Sequence, residues 1–320
     1  MTTKKSSEFQ ATLPLSRAET EAEQPLPAVA AFQGTFAPEA RPPLQRGKPI
    51  PFYRDHFYWT SGWNHPAVWR SGVVEGFAMS MLVFVSGQIG ATLMSYGTNQ
   101  IGIYIIISNT LLLAVFIYAT APASGGHVNP MITFSTLLTG LCPLPRAIIY
   151  MSAQILGAAV GGGLLIGVLG QERAIALKGT GCFYDSSEIR ASQVFLNEAA
   201  SCFAMLYLAF GVGLDPRQAL LFGPKLGPLL VAASLAVISF ASSGMIPGYT
   251  GASMNPARCF GLGLARLDFS DQWIWWLGPA AASVVLSFMY NVLPPNHAEG
   301  KSECPPQPRV LLKPNDESPA

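Results

Sequence analysis

The stretch SGGHVNPM at 124–131 is followed by TGASMNPAR at 250–258, each an Asn-Pro pair behind small residues in an otherwise apolar region. Asparagine is a strong N-cap and proline suits the first helical position, so both pairs read as helix starts. The side-chain oxygen of such an asparagine holds its own helix, while its amide N–H groups can still orient a polar molecule. Arg258 follows Asn255 by three residues, nearly one turn, so it projects from the same side of its helix. A guanidinium among apolar residues is costly and marks a function. No nucleophile, base and oxyanion-stabilising set converges anywhere. The expected chemistry is recognition without bond making, and an enzyme is not expected.

The surroundings of these residues are those of a membrane. Half of the 320 residues are apolar and 12% are charged, about half the roughly 25% of a soluble domain. The charges gather at the ends, and between 73 and 169 only Glu75 and Arg146 occur. A net charge of +1, with no basic patch and no phosphate loop, gives no reason to expect nucleic acid. The five cysteines contain no CxxC and match neither a zinc site nor a disulfide framework, so no metal or cofactor is expected. The N-terminus has no apolar core of a signal peptide.

Six stretches are long and apolar enough to span a bilayer, near 71–94, 101–121, 145–169, 192–213, 226–244 and 272–293. The segments 129–140 and 255–265, each opening on Asn-Pro, are too short to span and read as half-helices. Two such pieces of about 15 Å meet end to end across a core of about 30 Å. Non-helical backbone at that depth is tolerated only inside protein or beside a water-filled cavity, so the Asn-Pro turns should line one. Residues 1–68 read as a disordered tail ending in an aromatic segment, 69–293 as the membrane domain and 294–320 as a second tail. The aromatics at 51–70 suit either a membrane interface or a cluster packed on the protein's own surface. Eight Lys or Arg precede residue 71, Arg217 and Lys225 lie in one short loop, and three basic residues lie in the C-tail, which puts both tails in the cytoplasm.

The chain repeats itself. EGFAMSMLVF begins at Glu75 and EAASCFAMLYL at Glu198, 54 and 57 residues before the respective asparagines. Each repeat, about 71–169 and 192–293, holds three spans and a half-helix, and an odd number of spans inverts the second copy. Inverted repeats with broken helices are a transport architecture. Over roughly 70–293 the two Asn-Pro boxes, the paired glutamates and QWIWWLGP at 272–279 resemble the aquaporin, or major intrinsic protein, family. The NPARC ending at Cys259, the GTGC at 179–182 and Met131 in place of alanine after the first Asn-Pro resemble its X intrinsic protein subfamily of fungi and plants.

That resemblance implies an all-α membrane protein with six transmembrane helices and two re-entrant half-helices. It further implies a passive channel for water and small uncharged solutes in the plasma membrane, assembled as a homotetramer. Asn129 and Asn255 would be the central donors, while the helix dipoles repel hydronium and cations. Matching without gaps puts Asn109, Ser243 and Ala252 around Arg258 at the constriction, with Ser242 the member in the alternative register. Small polar partners there suit glycerol, urea, hydrogen peroxide or boric acid as well as water. Cys259 in place of the aspartate of glycerol facilitators, and the Trp275-Trp276 pair, point instead toward water channels.

Glu75 and Glu198 admit two roles: acceptors for the loops before the half-helices, or proton relays of a coupled carrier. His127 is either a loop brace or a pore gate. Met131 would narrow the centre or swing aside. Cys259, four residues after Asn255, is expected near the pore wall and open to mercurials; its pairing with Cys182 stays open. The small residues of GAAVGGGLLIG at 157–167 serve packing within the chain or between copies. A third reading is a structural or sensory membrane protein with a closed pore.

Overall fold

The computed structural model describes residues 52–98, 100–215 and 219–292. The expected tails at 1–51 and 294–320 lie outside them. After a short turn at Phe52–Arg54 come α1 (His56–Thr60), α2 (Pro66–Tyr96), α3 (Ile101–Ser124), the half-helix α4 (Pro130–Leu138), α5 (Leu144–Leu169) and a short α6 (Gln171–Ala176). There follow α7 (Ala191–Ala209), which continues as a π turn over Phe210–Leu214, then α8 (Ala219–Ser242), the half-helix α9 (Pro256–Arg266) and α10 (Gln272–Val292). Among the described residues, six helices are long and apolar enough to cross a membrane: α2, α3, α5, α7 with its π turn, α8 from Lys225, and α10. Span, span, half-helix, span is the order in both halves, the fold expected from the repeat.

Local chemistry sets the helix ends. Extended His65 precedes Pro66 and begins α2, and left-handed Gly125 (φ 94°) ends α3 just before the first Asn-Pro box. Outward faces are apolar stripes at helical spacing, as with Ile103, Ile107, Leu111 and Val115 on α3 and Leu156, Val160, Leu164 and Val168 on α5. Such stripes suit lipid. The inward faces are small. A Cβ on Gly157 would lie 2.0 Å from the Gly76 carbonyl oxygen, and one on Gly162 2.2 Å from that of Gly261. Helix α5 therefore touches α2 and α9 backbone to backbone, and the small residues at 157–162 serve packing within the chain.

Residues 52–68 form the aromatic segment expected at the end of the tail, at a membrane interface or packed on the protein's own surface. They fold, and α2 opens three residues before the expected domain start at 69. Buried Tyr58 donates its hydroxyl to the carbonyls of Leu137 (2.5 Å) and Cys142 (2.7 Å), closing the C-terminal end of α4. That hydroxyl and the apolar cluster of Tyr58, Leu137, Cys142 and Ala147, with Phe52 against it, hold this segment in place. Tyr53, Phe57, Trp59, Trp63 and Trp69 remain exposed around it, so packing and an interfacial surface coexist.

Candidate functional site

Both Asn-Pro boxes are built alike. The residue before each asparagine is left-handed, Val128 at φ 39° and Met254 at φ 57°, a strained conformation for these side chains. A fully buried carboxylate holds each turn. Glu75 accepts from the backbone N–H of His127 (2.9 Å) and Val128 (2.7 Å), and from Ser124 Oγ (2.6 Å) and Gln154 Nε2 (2.8 Å). Glu198 accepts from the N–H of Ser253 (2.7 Å) and Met254 (3.1 Å). These loop contacts are the first of the two roles the glutamates admitted.

The asparagines then lock the half-helices together. Asn129 Oδ1 caps α4 at the Met131 N–H (2.9 Å), and Asn255 Oδ1 caps α9 at the Arg258 N–H (3.2 Å). Each amide donates across the molecular centre, Asn129 Nδ2 to the Met254 carbonyl and Asn255 Nδ2 to that of Val128, both at 2.9 Å. An amide carries two N–H groups, so one from each asparagine is left for a visitor.

Three cavities follow one another past these groups. An inner cavity of about 230 Å³ has Asn129, Asn255, His127 and the Gly125-Gly126 backbone in its wall. It shares Leu113, Leu235 and Asn255 with a neck of about 40 Å³. The neck in turn shares Ser86, Asn109, Ser239, Ser253 and Arg258 with a vestibule of about 670 Å³. A water needs about 10–15 Å³ of such space, so the neck holds only a few.

Of the expected ring, Asn109 and Arg258 stand at this neck, whereas Ser243 and Ala252 line only the vestibule. Ser242 Oγ is turned to the Ala252 N–H (2.8 Å). Side chains hold the Arg258 guanidinium. Its partners are Ser86 Oγ (3.4 Å), Ser253 Oγ (3.3 Å) and Cys182 Sγ (3.8 Å), while the loop carbonyl of Gly181 accepts from Arg266 (3.1 Å). Ser86, Ser239 and Ser253 were missed by sequence reasoning. For Ser239 a signal existed, since it lies one helical turn from Ser243 on the same face.

His127 both braces and lines: its Nδ1 is 3.0 Å from Thr133 Oγ1, its ring meets Tyr150 edge-on, and it borders the inner cavity. Met131 lines none of these three cavities. It is buried against α10, where Ser283 Oγ approaches its sulfur (3.9 Å), so its bulk does not narrow the centre. Cys259 corrects the expectation of a pore-wall thiol open to mercurials. It is fully buried and forms a disulfide with Cys182 (Cα–Cα 5.3 Å), because its face of α9 meets the loop before α7. That loop is also pinned to the approach to the second box, with Asp185 N–H on the Gly248 carbonyl (2.9 Å) and Thr250 N–H on that of Phe183 (3.3 Å). The Ser187 hydroxyl and N–H hold the Asp185 carboxyl below the usual carboxylate range.

Six apolar spans, two half-helices meeting at capped asparagines and a train of cavities past them define a transmembrane channel of the aquaporin fold. The sequence model of the Major intrinsic protein family matches residues 62–290. The chain is 30% identical over 254 residues to "Probable aquaporin TIP3-2" of Arabidopsis thaliana, covering 73% of this chain and 90% of that protein. "Aquaporin TIP4-4" of Zea mays is 32% identical over 198 residues, 62% of this chain and 74% of that one. Among solved structures, "X-ray structure of the aquaglyceroporin from Plasmodium falciparum" superposes with a TM-score of 0.59 at 20% identity, covering 69% of this chain and 95% of that one. The chain belongs to the major intrinsic protein family of water and small-solute channels.

Proposed function

We propose that this protein passes water together with small uncharged solutes, among them glycerol, urea, hydrogen peroxide and boric acid, and excludes protons and ions. The carrying observation is the neck. Arg258 and Asn109 offer donors, Ser239 and Asn109 offer acceptors, and Leu82, Leu112, Leu113 and Leu235 supply apolar wall. A small molecule with hydroxyl or amide groups and little apolar surface finds partners for both parts there. Among the described residues, no phenylalanine or histidine lines the neck.

Proton exclusion rests on the two asparagines, each with an amide N–H left toward the cavity, and on two helix N-termini facing the same point. A water accepting from both asparagines cannot also relay a proton along the file. The carrier reading has no comparable support, because both glutamates are engaged by the loops they hold. Membership of the X intrinsic protein subfamily, a homotetramer, a plasma-membrane location and cytoplasmic termini belong to the same proposal. They rest on the NPARC and GTGC motifs, the family resemblance and the distribution of basic residues.

Stopped-flow light scattering on proteoliposomes tests it. Expected are water and glycerol fluxes of low activation energy, unchanged by an imposed proton gradient. Flux that follows the proton gradient sinks the passive reading, and water flux without glycerol confines the protein to water.

A further inference from the structure

We infer that Ser239, and not Ser243, is the α8 residue that sets the solute cutoff, so that the selective constriction lies one helical turn deeper than residue matching puts it. The inference rests on the channel reading and assigns the α8 side chain at its neck.

Helix α8 and the loop after it run past each other in opposite directions, and the hydrogen bonds between them fix the levels. Ser243 Oγ faces the Thr250 carbonyl (3.4 Å), while Ser239 Oγ faces that of Ala252 (3.3 Å). Between them Gly251 lies so close to α8 that a Cβ there would come within 2.8 Å of the Ser243 nitrogen. The loop continues inward from Ala252 through Ser253, whose Oγ holds Arg258, to Asn255. Ser243 therefore stands at the level of Thr250 in the wide vestibule. Ser239 stands about 6 Å deeper, at the level where the loop turns toward the guanidinium.

The cavities divide in the same way. Ser239 borders both the vestibule and the neck, together with Asn109 and Arg258, whereas Ser243 borders the vestibule alone. Chemistry agrees with position. With its proton directed to the Ala252 carbonyl, the Ser239 hydroxyl presents lone pairs to a passing molecule, and Arg258 can only donate. A permeant that donates to one side and accepts from the other is held at both; one that only donates or only accepts is not. Ser86 completes the arrangement from α2 by accepting from Arg258 Nε and directing the guanidinium.

The experiment compares Ser239→Leu with Ser243→Leu in the full-length protein, using water and glycerol permeability of proteoliposomes. Expected is a fall in glycerol permeability of about tenfold or more for Ser239→Leu, about 1.4 kcal/mol in barrier, and a change within about twofold for Ser243→Leu. The reverse ranking, or equal effects, overturns the inference. Should Ser239→Leu fail to assemble, Ser239→Cys treated with a small methanethiosulfonate reagent decides the question. Block of flux at this position but not in Ser243→Cys supports the inference, and block only in Ser243→Cys refutes it. Among the described residues the unpaired cysteines, Cys142 and Cys202, are buried, and wild type treated with the same reagent is the control for them and for Cys304, which lies outside those residues. A wild type without water flux sinks the channel reading and this inference with it. A conducting wild type whose Ser239→Leu variant keeps its glycerol permeability within about twofold sinks the inference alone.

Discussion

Replacing Glu198 by glutamine separates a structural carboxylate from a proton relay. In the wild type, one carboxylate oxygen accepts from the Ser253 N–H at 2.7 Å and the other from the Met254 N–H at 3.1 Å. Glutamine has one acceptor oxygen and turns an NH₂ group toward the second donor. The shorter bond survives and the Met254 N–H loses its partner. Leaving one buried donor unsatisfied costs about 1–3 kcal/mol. Met254 is also the left-handed residue whose strain, about 1–3 kcal/mol, that contact offsets. Glu198→Gln should therefore lower thermal stability in detergent by an amount in this range, and Glu198→Ala, which strips both donors, by about twice as much. Water flux should persist in the glutamine variant and remain indifferent to a proton gradient. If Glu198→Gln left stability unchanged while abolishing flux in a correctly folded protein, the carboxylate would be acting on the permeant and the reasoning here would be wrong.

Other consequences can be checked with the same preparations. Asn109→Phe puts an aromatic ring into a neck of about 40 Å³ and should abolish glycerol flux while sparing much of the water flux, read by stopped-flow scattering. Cys182→Ser opens a cross-link spanning 77 residues; the chain-entropy model gives about 4.5 kcal/mol as an upper bound, so a lowered unfolding temperature that reductant reproduces in wild type is expected. Gly162→Val forces α5 off the Gly261 carbonyl and should prevent a monodisperse preparation, whereas Gly163→Val, where a Cβ meets nothing within 4 Å, should not.

The six spans and two half-helices were legible because bilayer thickness and the Asn-Pro cap act locally, each within one stretch of chain. The observed ends fall within about three residues of those expected, except that α2 and α8 start five and seven residues earlier. Asn129, Asn255 and Arg258 were legible for the same reason: their caps and their turn lie inside one motif. The anchoring of 52–68 was not. It depends on Tyr58 reaching the end of α4, carbonyls 79 and 84 residues away, which no local pattern encodes. The pairing of Cys182 with Cys259 stayed open on the same ground, since it requires the path of the loop before α7.

Ser239 shows where residue matching breaks. Counting from Arg258 back to α8 crosses the segment 243–252, and the count holds only if that loop has the assumed length. The two repeats already signal that spacings drift, with 54 residues from Glu75 to Asn129 but 57 from Glu198 to Asn255. Such a drift comes close to a helical turn, which moves a side chain along the pore axis without turning it from the pore. Ser239 and Ser243 therefore both face the cavity and both carry a hydroxyl, and no residue-type pattern tells them apart. What separates them is depth, set by the contacts of Ala252 and Thr250 with α8. In a file this narrow, depth decides which hydroxyl a solute must pass at the tightest point.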